Sequence, residues 1–493
     1  MSDKHIAPQS NTPENRRILL IYPNTGLDIP KVSVFMPLSV IYLAESLKEA
    51  GFAASIIDLR TDTDWQKTLR REMSLKPLYV GISAMTGKQI HWGLKAARQI
   101  RQCDPSVPIV WGGTHASVLP EETLADPFVD TVVTGKGEQT VVQLAREVLN
   151  NGRDTIIGRI YRTPLGKAGV RGGKAFDLQG IPWHDYVTPI VHDVRGLAYV
   201  SSRGCPHRCA YCYNRAVNKS IWCGETADSV LNYLRNLARH DVRGVIFFDD
   251  NFFVNRERVK EIALGIIKEK INIAIKADCR ADYLVNYDED FLLLLKEAGF
   301  ELLYIGAESG SDRVLELMRK DVDLAAMLEA NRRLAKVGIR PHYSFMAGVP
   351  GESIEDMYAT IQLMVRLKEE NPQAYMSPVK IYVPYPGTAL FETAVEMGFE
   401  APESLADWSK VNWGSRGRPW LNREQTLFVE KMSYVSLGLD PSVIDLSGMS
   451  KNRFAIWGFN KFVELCRKRC RKPGLGMMPE LPLVRVAKRI FHT

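Results

Sequence analysis

No stretch of this 493-residue chain stays apolar for the ~18–20 residues that a bilayer crossing needs. The richest run, "VSVFMPLSVIYLAESL", is interrupted by Pro37 and by serines. The opening "MSDKHIAPQSNTPENRR" lacks the apolar centre of a secretory signal and reads, over 1–15, as a disordered leader. The default expectation is a cytoplasmic address. Cysteine is scarce: eight residues in so long a chain exclude a disulfide scaffold. Strong charge is also missing from most of the molecule. Residues 451–493 hold eleven Lys or Arg against two Glu, a net of +9, and the whole chain is only +7, so the rest is near −2. The basic surplus belongs to the tail, and the body is not a nucleic-acid binder by charge.

What is present is ordinary globular composition, 45% apolar and 25% charged, at a length that suggests about three domains. In the first part, strand-like runs alternate with helical periods: "RILLIYP", "AASIIDL", "YVGISAM", "PIVWGG" and "VDTVVTG", with a helix expected from about Lys88 to Cys103. Five such strands imply a doubly wound, flavodoxin-like parallel sheet over 16–152. A glycine-rich linker, 153–196, follows, with a hairpin expected around "GRIYRTPLGKAGVRGG". The alternation restarts over 197–398 with "LAYVSSRG", "GVIFFDDN", "IAIKADC", "LLYIGAESG", "RPHYSFMAG" and "SPVKIYVP". Six strand–helix units suggest a partial (β/α)6 TIM-type barrel with its site at the strand C-terminal ends. The C-terminal region, 399–493, reads as mostly helical.

Three of the eight cysteines crowd into "SSRGCPHRCAYCYN": Cys205, Cys209 and Cys212. Structural zinc wants a fourth ligand, and no second pair lies near. A redox CxxC pair leaves Cys205 unexplained. A three-thiolate iron–sulfur site uses all three and leaves one iron open. Gly204 and Pro206 bend the loop, and His207 and Arg208 are expected to offset thiolate charge. Cys466 and Cys470, separated by arginines and a lysine, are not expected to bind metal.

This CxxxCxxC spacing, with Tyr211 before the last cysteine, resembles radical S-adenosylmethionine (SAM) enzymes over about 197–398. The resemblance implies a [4Fe-4S] cluster on the triad whose open iron chelates SAM, reductive cleavage of the sulfonium, and an external electron donor such as flavodoxin or ferredoxin. It further implies SAM contacts from Tyr211, Asn214, Asp249, Asp250, Glu308 and Ser309, at three strand ends. Taken alone, Asp249 and Asp250 read more readily as a cap or turn, and Glu308 can pair with Arg313. No acid–base residue is nominated.

With that domain downstream, the glycine-bearing strand ends of the first domain resemble the cobalamin-binding domain of cobalamin-dependent radical SAM enzymes. The implied contacts are Ser83, Met85, Thr86, Gly112, Gly113, Thr114, His115, Gly135, Gly137 and Glu138. Tight strand-to-helix turns account for the same glycines. The DxHxxG signature of many corrinoid proteins is absent: in "YPNTGLDIPK", Asp28 is followed by Ile29 and Pro30, so no histidine lower ligand is expected from this loop; the domain then binds cobalamin without histidine ligation, the favoured reading, or is a degenerate one that binds none. Paired, the two domains imply a methyltransferase acting on an unactivated carbon or phosphorus. A radical cyclase or rearrangement enzyme is second and a non-catalytic sensor third. A lipid, a tetrapyrrole or another small molecule all stay open as substrate. The tryptophans of "DWSKVNWGSRGRPW" read as a barrel cap or as core, and the basic helix near Cys466 as a solvated tail or a peripheral membrane contact.

Overall fold

The computed structural model describes residues 16–26, 28, 34–163, 183–191, 194–411, 417–440, 453–472, 475, 476 and 478. The expected leader, most of the linker with its hairpin, and residues 412–416 lie outside them. Strands β1 (Arg17–Tyr22), β2 (Ala53–Asp58), β3 (Val80–Ser83), β4 (Ile109–Gly112), β5 (Thr131–Thr134) and β6 (Arg159–Arg162) form one all-parallel sheet in the order β2-β1-β3-β4-β5-β6. "RILLIY" is apolar throughout because helices cover both faces of such a sheet. The first five strands have the flavodoxin-like order. The sixth comes from the segment expected to be linker: β6 pairs parallel to β5 (Thr131↔Arg159), so it extends the sheet past Gly152. It lies at the sheet edge with no fully buried residue, so composition alone reads it as a loop.

The second sheet begins with β7 (Thr188–Val191), antiparallel to β8 (Val194–Tyr199). The small pair β9 (Ser202–Arg203) and β10 (Cys223–Gly224) follows as a separate ladder. Then come β11 (Gly244–Phe247), β12 (Ala274–Cys279), β13 (Phe300–Glu308), β14 (Arg340–Ala347), β15 (Tyr375–Met376) and β16 (Lys380–Ile381). β8, β11, β12, β13 and β14 run parallel in spatial succession, and β15 and β16 both pair β14. The result is an open half-barrel with six parallel positions. Its helices start on side-chain caps: Thr226, Asp288, Asp323 and Ser353 each accept a backbone N–H of the first turn.

One apolar core runs from the β1 face bearing Ile18 and Leu20 through the shell of the half-barrel, so the two sheets are packed as one body. The other face of the first sheet is covered partly by the C-terminal region, whose Trp408 and Leu405 join Trp111 and Ile82. Trp420 is also core, its indole N–H donating to the Gly348 carbonyl at 2.9 Å. Both described tryptophans of that stretch therefore pack rather than cap the barrel mouth. Among the described residues no helix is long and apolar enough to cross a membrane.

Candidate active site between the two sheets

The cysteine loop is closed at its base by β9 and β10, with Arg203 opposite Cys223. Gly204 has φ +89°, and a Cβ there would stand 1.8 Å from the Ile221 carbonyl oxygen, so only glycine fits the crossing. Mid-loop, Ala210 is pinned twice: its N–H reaches the Met318 carbonyl at 2.7 Å and its carbonyl accepts from Leu390 at 2.9 Å. All three cysteines are free and partly exposed. Among the described residues no three His, Cys, Asp or Glu groups gather closely enough for a single metal ion. Burial pushes the Cys205 thiol up and the Cys212 thiol up to about 12.

Two donors that the sequence reading missed approach these sulfurs. Asn251 Nδ2 lies 3.8 Å from Cys205 Sγ, and Arg280 Nη1 lies 3.7 Å from Cys209 Sγ. Arg280 also holds Asp282 at 2.9 Å and the Lys320 carbonyl at 2.8 Å. It takes the role expected of His207 and Arg208. Burial and the nearby Arg280 push the His207 imidazole down toward its neutral form, and its Nε2 meets the Tyr283 hydroxyl at 3.0 Å. Arg208 faces outward to Asp321. Only its position just after β12 hinted at Arg280.

The expected SAM contacts divide. Asp249 is turned inward and engaged on both oxygens: it accepts from Ser201 N and Oγ at 2.7 Å each and from Ser202 Oγ at 2.5 Å. Ser309 is fully buried, its hydroxyl 3.2 Å from Thr360 Oγ1. Asp250 instead opens to a cavity and accepts the Gly204 N–H at 2.6 Å; burial pushes its carboxyl up. Asn214 is buried against Asp250 and Asn218. Glu308 has φ +64° and accepts from the Tyr211 hydroxyl at 3.0 Å, with Lys320 Nζ 3.4 Å away; Arg313 pairs with Asp356 and not with it. Lys320, missed in the sequence, also lies 3.1 Å from the Tyr211 hydroxyl.

The cavity, of about 320 Å³, lies between the two sheets. The strand ends of the first sheet line it with Ser83, Gly112, Gly113, Thr114, Gly135, Gly137 and Glu138; Tyr213, Phe248 and Asp250 face it from the second. This is the C-terminal edge of a doubly wound sheet, where such folds bind ligands. At Gly112 and Gly135 an added Cβ would meet nothing closer than 3.5 and 3.6 Å, so these glycines leave open room and do not merely relieve a clash. Arg203 crosses from the cysteine loop to the Glu138 carboxylate at 2.5 Å, tying the two walls together.

Three residues expected at the corrinoid do not line this cavity. Met85 faces solvent, and Thr86 Oγ1 binds His115 Nδ1 at 2.9 Å. His115 is buried beside Trp408, its ring 5.7 Å away, and burial pushes its imidazole down to about 4. The described lining includes no His, Cys or Met. In the first loop, Asp28 is held by Thr25 and by Arg60 at 3.5 Å.

Comparison with known proteins agrees with this division. Residues 199–364 match the Radical SAM superfamily, and residues 32–145 match the B12 binding domain. The chain therefore carries one region like radical SAM proteins and one like B12 binding domains. An uncharacterized methyltransferase of Pyrococcus horikoshii is 27% identical to this chain, over 87% of it and 94% of its own length. An anaerobic magnesium-protoporphyrin IX monomethyl ester cyclase of Rubrivivax gelatinosus is 25% identical, over 80% and 72%. The solved radical SAM methyltransferase TsrM from Kitasatospora setae, with cobalamin and a [4Fe-4S] cluster bound, shares the fold: its TM-score is 0.63 at 18% identity, over 88% of this chain and 90% of that one.

Proposed function

We propose that the chain is a cobalamin-dependent radical SAM methyltransferase acting on a small molecule. In this reading Cys205, Cys209 and Cys212 hold a [4Fe-4S] cluster, and the glycine strand ends of the first sheet hold cobalamin. The observation that carries it is a single cavity shared by those strand ends and by Tyr213 and Asp250, which flank the cysteine loop. When bound, an open-iron cluster supplies the electron that splits a sulfonium, and a corrinoid supplies a transferable methyl group. The chain's own residues have definite tasks. Asn251 and Arg280 stabilise thiolate charge by donating toward sulfur. Asp250 fixes Gly204 at the start of the loop. Tyr211, Glu308 and Lys320 brace one another beside the third cysteine. With no His, Cys or Met in the described lining, cobalamin would bind without protein ligation of the cobalt from these residues.

The test is anaerobic reconstitution with iron, sulfide and cobalamin, then reduction with SAM and analysis for 5′-deoxyadenosine. Zinc in the cysteine loop, or a cluster indifferent to SAM, refutes the reading. The cyclase relative supports a second reading, oxidative ring closure, and product mass separates the two: methylation adds one CH2, whereas cyclisation removes hydrogen and adds no carbon. Electrons would come from a small donor such as flavodoxin or ferredoxin. Helix Arg453–Cys470 docks through Val463, Cys466 and Cys470, and Arg467, Lys468 and Arg471 each already meet a partner.

A further inference from the structure

The inner face of the half-barrel carries polar side chains that neither cofactor reading uses. Along β12, Ile275, Ala277 and Cys279 are buried in the core beneath the helices. The alternate residues, Lys276 and Asp278, therefore face the lumen, about 7 Å apart along the strand. The strand register puts Asp278 level with Tyr304, Tyr304 level with His342, and His342 level with Tyr375. Below this row the lumen is floored by Ile190, Ile246 and Leu302, against which Phe35 of the first domain packs. Phe248, which follows the Phe247 that pairs with Ala277, lines the shared cavity.

Lys276 and Asp278 act on each other, and Lys380 acts on Asp278, only through space. Among the described residues Lys276 meets no carboxylate at ion-pair distance, and its Nζ lies 5.8 Å from the Tyr304 ring centroid. Asp278 accepts no hydrogen bond among them. Burial pushes the Lys276 ammonium down, and it pushes the Asp278 carboxyl up to about 7 against the pull of Lys276. His342 stays neutral, its Nε2 2.8 Å from Ser377 Oγ and its ring 5.0 Å from Tyr304. Buried ionisable groups with no direct hydrogen bond or ion pair are costly, and they mark candidate binding sites.

We infer that Lys276 and Asp278 select the methyl acceptor. The molecule that enters the lumen carries an acidic group met by Lys276. On the same flat skeleton it carries an N–H or O–H donor met by Asp278, with its face against Tyr304 and His342. The inference rests on the methyltransferase reading and narrows its substrate to a polar, anionic compound, which excludes an apolar lipid. Calorimetry of the reconstituted full chain tests it with three probes: 4-aminobenzoate, which has acid and donor at opposite ends of a ring; benzoate, which lacks the donor; and 4-methylaniline, which lacks the acid. The expected result is at least tenfold tighter binding of 4-aminobenzoate than of 4-methylaniline. Lys276→Met should erase that preference and Lys276→Arg should restore part of it, and Asp278→Asn should erase the advantage of 4-aminobenzoate over benzoate. Equal binding of the acid and its neutral analogue, no uptake of either, or a preference that survives Lys276→Met overturns the inference. The comparison among probes on the unmodified chain decides the matter even where a variant fails to fold. A chain that shows the preference but never cleaves SAM sinks the methyltransferase reading instead, and one that cleaves SAM without the preference sinks only this one.

Discussion

Asp249 offers the sharpest contrast between a ligand and a strut. Its carboxylate is 1% exposed and accepts three hydrogen bonds, from Ser201 N, Ser201 Oγ and Ser202 Oγ. Arg258 closes the layer behind them, reaching Ser201 Oγ at 2.7 Å and the Glu225 carbonyl at 2.7 Å. Replacing Asp249 with alanine strands three buried donors at about 1–3 kcal/mol each, but the two hydroxyls can turn toward other acceptors, so the expected loss is about 3–5 kcal/mol. Asp249→Asn keeps the shape and one acceptor and removes a charge that burial disfavours, so it should cost about 1–2 kcal/mol. Urea unfolding of the anaerobic protein is the assay, with 5′-deoxyadenosine formation as the parallel readout. With a slope of about 3 kcal/mol/M, the alanine variant should melt at a midpoint about 1 M or more lower. An alanine variant that melts like the parent but no longer cleaves SAM would refute the reasoning and return Asp249 to the role of ligand.

Three further outcomes are expected. Alanine at Cys205, Cys209 or Cys212 should sharply lower iron bound per chain after reconstitution, whereas alanine at the exposed Cys103 should leave it intact; iron and sulfide assays read both. Gly204→Ala drives a Cβ into the Ile221 carbonyl at a positive φ, so it should cost about 2 kcal/mol or more and lower cluster loading by lifting β10 from β9. His115 and His342 are held neutral in the folded state, with burial pushing them down to about 4 and about 3. Their contribution is complete above the unfolded value near 6.5 and is lost as pH falls from there toward those lower values, by up to about 3 kcal/mol for His115. Acid titration of the melting temperature should show that limb, and His115→Phe should flatten it.

Much of this protein was legible from local pattern. A helix from Lys88 to Cys103, five strands of a doubly wound sheet and six parallel barrel positions follow from apolar periodicity, because each repeat reports which side of an element is covered. The cysteine spacing was equally local, since one tight loop must deliver three thiolates. Strand β6 was missed because an edge strand need not be apolar. The fates of Asp249 and Asp250 were beyond the linear text: adjacent residues at a strand end point opposite ways, and only the packed structure shows that one is walled in by Ser201 and Ser202 while the other meets the cavity. Arg280 beside Cys209, Lys320 beside Tyr211, and Arg203 against Glu138 join positions that lie about 65 to 110 residues apart in the chain. The order of the chain therefore dictated the elements and the cluster loop. The curling of one sheet against another chose which polar side chains would be spent on structure and which would face the lumen, because register and closure are properties of the assembled sheets and of no single segment.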